Sequence, residues 1–392
     1  MIWIFIFFMN IGIDIRTLMD ARYSGVSLYT LELVQALCRY GSKNNYRLFC
    51  NAFRSRDGRP PRFDYPNVSV TDTKYPNKLL NYGYFKIGKR PKLDRLLKTD
   101  VFFMPHINFV AFSRGARYVV TVHDLSFLRY PYFFTLRQNL WHRALNVKKL
   151  LQHAAAVIAV SEHTKRDVIE LCRIPEKKVH VIYSGINERY HPLSAESSEA
   201  RRVRSAYALP ERFMLYLGNI EPRKNIESII EAYSLYRKKN PQSDVKLVIA
   251  GSSAWKHGVV HAVARASGFF ADIHFLDYVA EADKTALYSL AELFVFPSFY
   301  EGFGFPPLEA AACGTPVITS NVAALPEIAG GFALLIDPHN VAGLSEAINE
   351  VLNDKNLQQN MRERGLNHEQ KFSWEKCARE VVKVFENLNS IY

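Results

Sequence analysis

Two acidic side chains, Glu301 and Glu309, lie eight positions apart in a segment that could bring a ligand close to the backbone. The segment, 294–321, reads FVFPSFYEGFGFPPLEAAACGTPVITSN and predicts a buried strand, a glycine-broken loop, a helix opened by Pro306-Pro307 and a second strand. Glycines leave room for a ligand, and the free N–H groups of a helix start can hold phosphate. Carboxylates accept hydrogen bonds from hydroxyls. The pattern therefore favours a polyhydroxylated, phosphorylated ligand, although a loop cap and an ordinary early-helix acid are equally compatible with the two glutamates.

A basic pair, Arg223 and Lys224, stands at the start of a predicted helix in the segment LYLGNIEPRKNIESIIEAY. Cations at this end oppose the helix dipole, and such local conflicts are typical of functional sites. Arginine offers a planar fork to phosphate oxygens and lysine a mobile point charge, so the pair suits a diphosphate. Solvated charges on a helix end are the alternative reading of the same residues.

These strings resemble the motifs of retaining GT-B glycosyltransferases, specifically glycosyltransferase family 4. The segment 301–309 is similar to the family's Glu-x7-Glu signature, which implies that Glu301 lies near the transferred sugar and that Glu309 binds the ribose. The segment GNIEPRKN is similar to the family's diphosphate-binding segment, which implies that Arg223 and Lys224 neutralise the leaving nucleoside diphosphate.

The same resemblance assigns further donor-binding positions to the second half of the chain. They are Gly218 and Asn219 before the basic pair, and Gly302, Phe303 and Gly304 after the first glutamate. Many relatives carry an arginine at the position of Asn219, so one phosphate contact is expected to be missing or supplied elsewhere.

In the first half, the string IGIDIRTLMDARYSGVSLYTLELVQAL resembles the family's first strand, loop and helix. Ser24 and Gly25 are expected in the loop before the helix, as phosphate or acceptor contacts. In VVTVHDLSFLRYP, His123 follows an apolar strand, and the resemblance implies that it reaches the transferred sugar and acts with Glu301 in catalysis. Ser161 and Gly185 match further positions that line the cleft.

Short apolar runs alternate with helix-length segments, which is typical of parallel α/β sheets. The predicted strands are 11–15, 46–51, 101–104, 118–122, 156–160, 179–183, 213–218, 245–250, 273–276, 293–296, 317–319 and 333–336. Helices are expected at 27–40, 136–153 and 164–172, and an amphipathic helix is expected at the end of the chain.

The resulting fold class is α/β of the GT-B type, with two Rossmann-like domains facing a central cleft. The expected divisions are 1–192 for the acceptor-binding domain, 193–212 for a linker, 213–372 for the nucleotide-sugar-binding domain and 373–392 for a helix crossing back to the first domain.

Charge is distributed unevenly. Residues 1–196 hold 30 Lys and Arg against 15 Asp and Glu, whereas the remainder holds 20 against 23. Basic residues alternate with aromatic ones in two segments, 74–98 and 127–143, which suits an anionic lipid surface. Nucleic acid could bind to the same positively charged segments, but no recognised nucleic-acid-binding motif accompanies them.

The opening MIWIFIFF is far too short to span a bilayer, lacks the basic flank of a signal peptide, and is interpreted as an extension or a misassigned start. The five cysteines are scattered without a CxxC pair, which favours a reducing compartment. We expect a cytoplasmic protein on the inner face of the cytoplasmic membrane.

Metal-dependent sugar transferases usually hold a divalent ion with an Asp-x-Asp pair, and this chain has no such pair. We therefore expect no metal site and no cofactor, with Arg223, Lys224 and backbone donors stabilising the leaving group. The EPRKN string resembles mannosyltransferases of O-antigen and exopolysaccharide assembly, which implies GDP-mannose as the donor and a lipid-linked or polysaccharide acceptor. A GT-B nucleotide-sugar 2-epimerase, a sugar phosphorylase and a non-catalytic basic membrane- or nucleic-acid-binding module are the alternatives.

Overall fold

The computed structural model describes residues 8–19, 23–51, 61–252 and 257–389. The prediction about the opening segment concerns residues 1–8, of which 1–7 lie outside the described residues, so it stays a prediction. The chain divides into two compact units, one formed by 1–185 with 373–392 and the other by 186–372. The closing helix therefore belongs to the first unit, as the sequence predicts.

In the first unit, the described residues form a seven-stranded parallel sheet in the order β3-β2-β1-β4-β5-β6-β7. The strands are β1 (Asn10–Asp14), β2 (Asn45–Cys50), β3 (Val68–Asp72), β4 (Val101–Met104), β5 (Tyr118–Val122), β6 (Ala156–Ala159) and β7 (Val179–Val181). The central strands β4, β5 and β6 are buried along their whole length. Their unbroken apolar runs follow from burial on both faces of the sheet.

The helices of the first unit cover this sheet. They are α1 (Gly25–Tyr40), α2 (Leu93–Leu96), α3 (Ser126–Arg129), α4 (Leu136–Leu145), α5 (Val147–His153), α6 (Glu162–Cys172), a π-helix (Leu79–Gly88) and short 3₁₀ turns at Arg16–Met19, Pro131–Phe133 and Glu176–Lys178. The closing helix of the chain (Trp374–Asn389) also packs here, with Phe385 against Phe103 of β4 and Arg117 bonded to the carbonyl oxygen of Leu388.

In the second unit, the described residues form a six-stranded parallel sheet in the order β10-β9-β8-β11-β12-β13. The strands are β8 (Phe213–Leu217), β9 (Lys246–Ala250), β10 (Ile273–Leu276), β11 (Leu293–Phe296), β12 (Val317–Ser320) and β13 (Ala333–Ile336). The helices are α7 (Ser198–Ala206), α8 (Ile226–Lys239), α9 (His257–Ala266), α10 (Lys284–Leu290), α11 (Phe305–Ala312), α12 (Leu325–Ala329), α13 (Val341–Asn353) and α14 (Lys355–His368), and 3₁₀ turns lie at Pro222–Lys224, Phe270–Asp272, Glu281–Asp283 and Glu369–Lys371. The closing helix of the first unit is α15 in this numbering.

Three features differ from the sequence-based expectation. Strand β3 was not predicted, because this edge strand is half exposed and lacks an apolar run. The helix expected over 136–153 is two helices, because Asn146 adopts a left-handed conformation (φ 53°) and caps α5 through its side chain. Residues 193–212, expected as a linker, are grouped with the second unit and include α7.

No helix among the described residues is both long enough and apolar enough to cross a bilayer.

Candidate active site

The turn between β8 and α8 holds the basic pair in a fixed place. Asn225 adopts a left-handed conformation (φ 58°) between the 3₁₀ turn and α8. Its side-chain amide donates to the carbonyl oxygens of Pro297 (3.2 Å) and Pro338 (2.7 Å), and the amide of Phe299 donates to the carbonyl oxygen of Arg223 (2.9 Å). These bonds join the start of α8 to the loop that follows β11 and to the loop that follows β13.

That loop carries Glu301, and the three predicted residues meet there. Arg223 donates from Nη1 to Oε2 of Glu301 at 2.9 Å, and Lys224 donates from Nζ to Oε1 at 2.5 Å. Lys224 also lies 4.8 Å from the ring centroid of Phe296, which adds a cation–π contact. Both oxygens of one buried carboxylate are therefore engaged by two cations from a segment 77 and 78 positions earlier.

Burial alone would raise the pKa of Glu301, but the neighbouring charges of Arg223 and Lys224 outweigh it and hold the pKa below its usual value. Arg223 is held further by Glu221, which accepts from Nη2 at 2.8 Å, and by the carbonyl oxygen of Tyr300 at 2.8 Å. Two carboxylates thus balance two cations. The cluster is fixed in position before any ligand binds, which is the arrangement that preorganised charge stabilisation requires.

The glycine loop after Glu301 is a close-packed structure. Gly304 caps α11 with φ 105°, and a Cβ there would come within 2.8 Å of Leu325. Gly302 is buried, and Phe303 is buried against Phe305 and Phe372, so the ring of Phe303 serves packing here.

The start of α11 corrects one sequence-based expectation. The helix begins at Phe305, one residue earlier than predicted, so Pro306 and Pro307 occupy its second and third positions. Neither proline has an N–H group. The first four helical positions therefore carry amide hydrogens only at Phe305 and Leu308, which makes this helix start a poorer phosphate cradle than expected.

Glu309 lies on α11 among tyrosine hydroxyls. The hydroxyl of Tyr288, on α10, donates to Oε2 of Glu309 at 2.8 Å. Burial raises the pKa of Glu309, and Glu281 adds to that rise, while Lys284 and the hydroxyls of Tyr288 and Tyr190 act in the opposite direction. Glu309 is thus a buried acceptor in surroundings quite different from those of Glu301.

Gly218 and Asn219 follow β8 in the same unit. The amide of Gly218 donates to the carbonyl oxygen of Ala250 (3.0 Å), and Asn219 is exposed while its carbonyl oxygen accepts from Tyr216 (3.0 Å). A Cβ at Gly251 would come within 1.9 Å of the carbonyl oxygen of Gly218. Sequence reasoning missed Gly251, although a glycine directly after an apolar strand was the available signal.

In the first unit, His123 follows β5 as predicted. Its Nε2 lies 2.8 Å from the carbonyl oxygen of Pro105, so Nε2 must carry the proton and Nδ1 is the atom left for another partner. The ring packs edge-on against Tyr29 at 4.6 Å. Burial lowers the pKa of His123, which favours the neutral imidazole.

The other predicted residues of the first unit have local structural partners. Ser24 is the N-cap of α1 and accepts from the amide of Ser27 (3.3 Å), while Gly25 is the first residue of that helix rather than part of the preceding loop. Both are exposed. Ser161 is a fully buried N-cap of α6 that accepts from the amide of Thr164 (3.1 Å).

Close packing explains why residue 185 is a glycine, because a Cβ at Gly185 would lie 2.3 Å from the backbone nitrogen of Trp374. The structure therefore gives Ser161 and Gly185 structural contacts, and their role toward a ligand stays a prediction.

Comparison with known proteins places these residues in a family. The sequence profile of glycosyl transferases group 1 matches residues 197–368, and the profile of Glycosyltransferase Family 4 matches residues 23–190. The O-antigen chain mannosyltransferase B of Escherichia coli is 32% identical over 288 residues, which cover 73% of each protein. The chain belongs to the group 1 glycosyltransferases. The family resemblance drawn from the Glu-x7-Glu and EPRKN strings is thereby confirmed.

A second relative of this glycosyltransferase, the serotype-specific mannosyltransferase WbdA of Escherichia coli, is 32% identical over 238 residues. The match covers 60% of the present chain but only 29% of WbdA, so it concerns a part of that longer protein.

Solved structures establish the fold of this glycosyltransferase. Sucrose-phosphate synthase from Thermosynechococcus elongatus superimposes with a TM-score of 0.77 at 20% identity, covering 98% of this chain and all of the other. WaaG, a glycosyltransferase involved in lipopolysaccharide biosynthesis, gives 0.71 at 15% identity (95% and 99% coverage), and HepE of Anabaena in complex with UDP and glucose gives 0.69 at 16% identity (97% and 100% coverage). The fold is of the GT-B class, as the sequence predicts.

One buried cluster of this glycosyltransferase escaped sequence reasoning. Asp14, at the end of β1, accepts from Nε (2.9 Å) and Nη2 (2.6 Å) of Arg16, and Arg16 also bonds to Asn81 and to the carbonyl oxygen of Phe109. Nearby, burial lowers the pKa of His106 to about 4. Asp14 and Arg16 are visible in the string IGIDIR, but only the fold shows that Arg16 joins the end of β1 to the π-helix and to the loop after β4.

Within the ranges that the structure describes, no group of three or more His, Cys, Asp or Glu residues is arranged to hold a metal ion.

Proposed function

We propose that this glycosyltransferase transfers a mannosyl group from GDP-mannose to a lipid-linked or polysaccharide acceptor, with retention of configuration and without a metal ion. The observation that carries the reaction chemistry is the cluster of Arg223 and Lys224 around Glu301. The choice of sugar is supported by two relatives, which are by name an O-antigen chain mannosyltransferase and a serotype-specific mannosyltransferase.

As the glycosidic bond to the diphosphate breaks, negative charge grows on the phosphate oxygens. Arg223 and Lys224 are the cations proposed to meet it, and Glu301 keeps them in place because it already binds both. The diphosphate then enters as an additional acceptor for cations that need not reorganise, which is why such sites accelerate a reaction. We propose that Glu301 acts at the sugar through position and charge.

Glu309 is proposed to accept hydrogen bonds from the ribose. Tyr288 and Tyr190 use two lone-pair positions of its carboxylate, and an ionised carboxylate offers about four. Acceptor capacity for two adjacent ribose hydroxyls remains. The carboxylate must be ionised for this, so the raised pKa of Glu309 places a lower limit on the pH at which the donor binds well.

A nucleotide screen tests the donor assignment. We expect GDP and GDP-mannose to raise the melting temperature of the protein more than UDP, ADP or their sugars do, since a ligand of the folded state stabilises it by mass action. Glu309→Ala should reduce the shift that every nucleotide causes, because all of them carry the same ribose. A larger shift with UDP-glucose than with GDP-mannose would overturn the choice of donor.

We also propose that the first unit docks on the inner face of the cytoplasmic membrane through an aromatic-basic surface, formed by residues 74–98 and 127–143. The segment 74–98 contains eight Lys or Arg residues and one acid. Ile87 and Leu136 are 79% and 77% exposed, which is unusual for apolar side chains unless they meet a partner.

The two segments of the aromatic-basic surface meet at Phe109. The ring of Tyr82 lies 5.2 Å from it on one side, and the ring of Trp141 lies 5.9 Å from it on the other. The two segments therefore pack together, and we propose that their exposed apolar and basic side chains share one face, a composition that suits an anionic bilayer.

Co-sedimentation with phosphatidylglycerol vesicles tests the docking. Binding should fall as salt rises, because the Debye length shrinks from about 10 Å at 0.1 M to about 3 Å at 1 M. Ile87→Ser and Leu136→Ser should weaken it, whereas Leu235→Ser, an exposed leucine of the second unit, should not. Equal vesicle binding by all three variants would contradict the proposal.

A further inference from the structure

A second basic feature lies in the first unit, and its residues 90–96 also belong to the aromatic-basic surface. A cavity of about 650 Å³ is lined by Arg90, Lys92, Arg95 and Arg114, together with Pro91, Leu96 and Ser113. Four cations thus converge on one opening from three short segments of the chain.

Among the described residues, these cations lack the carboxylate partners that several other arginines of the protein have. Arg16, Arg129, Arg212 and Arg237 each bind a carboxylate, whereas none of the four cavity cations forms an ion pair with another described residue. The acid next to them in the sequence, Asp94, accepts from the backbone amide of Ser113 at 2.9 Å. Four like charges with so little compensation repel one another, which an anionic ligand would relieve.

Ser113 adds an independent observation. It lines the cavity, and its hydroxyl oxygen is buried without a hydrogen-bond partner among the described residues. An unsatisfied buried hydroxyl is uncommon in native structures and is explained where a ligand completes it.

The position of the cavity separates it from the candidate active-site residues of this unit. Its residues lie in the segments that lead into β4 and β5. The amide of Leu93 donates to the carbonyl oxygen of Ala111 (3.0 Å) and so joins these two segments. His123 follows the carboxyl end of β5. Because the strands are parallel, the cavity lies at the amino edge of the sheet and His123 at the opposite edge.

We propose that this cavity binds a phosphate group, held by Arg90, Lys92, Arg95 and Arg114, at a site distinct from that of the sugar donor. Arginine forks match phosphate oxygens bidentately, and lysine adds a mobile charge. The phosphate can belong to a soluble compound or to a lipid headgroup, since both present the same oxygens.

Two probes distinguish these sources. Inorganic pyrophosphate, titrated calorimetrically, reports a soluble phosphate, and phosphatidylcholine vesicles with and without phosphatidic acid report a headgroup. The test variant is Arg95→Gln with Arg114→Gln, both exposed residues, and the matched control is Arg166→Gln with Arg173→Gln, two exposed arginines elsewhere in the same unit. Pyrophosphate bound at the donor site should give the same calorimetric signal in the test variant and in the control, because the candidate donor residues belong to the second unit.

The affinity of the test variant should fall by at least about tenfold for one of the two probes, because two charge-assisted hydrogen-bond donors are lost. Loss confined to pyrophosphate identifies a soluble ligand. Loss confined to phosphatidic-acid vesicles identifies a lipid when Arg114→Gln alone also shows it, because Arg114 lines the cavity but lies outside the aromatic-basic surface. The pair Arg90→Gln with Lys92→Gln should reproduce the result. If the test variant binds both probes as tightly as the control, the cavity is not a phosphate site.

Discussion

Glu301→Gln separates the proposed function of this side chain from its contribution to stability. The substitution keeps the shape of Glu301 but removes the charge that both Arg223 and Lys224 bind. Breaking a buried ion pair from one side costs about 3–5 kcal/mol. Arg223 keeps Glu221 and the carbonyl oxygen of Tyr300, so the lower end, about 3 kcal/mol, applies. In a unit of 187 residues, this loss lowers the melting temperature by about 6–12 °C.

The same substitution should affect binding and turnover in different directions. GDP affinity should stay the same or rise, because a negative charge beside the diphosphate is lost. Turnover should fall by about 100-fold, because the two cations are no longer held in place. The assays are GDP titration calorimetry, steady-state kinetics and thermal unfolding.

Asp272→Asn provides a matched control. Asp272 binds Arg237 (2.5 Å) and Lys246 in the same unit, so it is also a carboxylate shared by an arginine and a lysine. It is more exposed than Glu301, so its loss should cost about 2 kcal/mol and leave GDP affinity and turnover unchanged. Parallel loss of GDP affinity and activity in Glu301→Gln, or unchanged turnover, would refute the reasoning.

The stability effect of Glu301 also depends on pH. The folded pKa of Glu301 lies below the unfolded value of about 4.3, so its contribution is full above that value and disappears as pH falls through the folded pKa. The difference in melting temperature between Glu301→Gln and the parent protein should therefore shrink below about pH 4.

Three further outcomes are expected. Tyr288→Phe removes a hydrogen bond that lowers the pKa of Glu309, so the rise of donor KM on acidification should move to higher pH. Tyr233→Phe is the control and should leave that pH profile unchanged. The hydroxyl of Tyr233 bonds to a backbone carbonyl oxygen at 2.9 Å and to an arginine. Arg223→Ala should lower kcat/KM about 100-fold with activity insensitive to EDTA, and strict dependence on Mg²⁺ or Mn²⁺ would contradict the proposed neutralisation of the diphosphate. His123→Ala should lower kcat about tenfold if its Nδ1 bonds to the transferred sugar, and unchanged kinetics would exclude that role.

The strands that are buried on both faces of the sheet were predictable from the sequence. VFFM in β4 and YVVTV in β5 are continuous apolar runs because both faces of the sheet are covered, and their predicted bounds agree with the structure. β3 and the break at Asn146 were not predictable in this way. The first is a half-exposed edge strand, and the second depends on one left-handed residue within an otherwise helical pattern.

The residues of the candidate site were predictable by motif, but their partners were not. The family resemblance predicts that Arg223 and Lys224 bind a phosphate and that Glu301 lies near a sugar, and these roles stay predictions. That the three form one ion cluster depends on Asn225 joining the start of α8 to the loop after β11, a contact between distant segments. The phosphate cavity escaped for the same reason, because Arg114 approaches the others only in the fold.

The most direct test of the proposed function is proton NMR of the reaction itself. The protein is incubated in EDTA with GDP-α-mannose and an octyl α-mannoside as a synthetic acceptor, and the anomeric signals of donor and product are followed. We predict release of GDP with formation of a new α-mannoside, and no reaction with Glu301→Gln beyond a trace. A β-linked product would contradict retention, and transfer only from UDP-sugars would contradict the assignment of the donor.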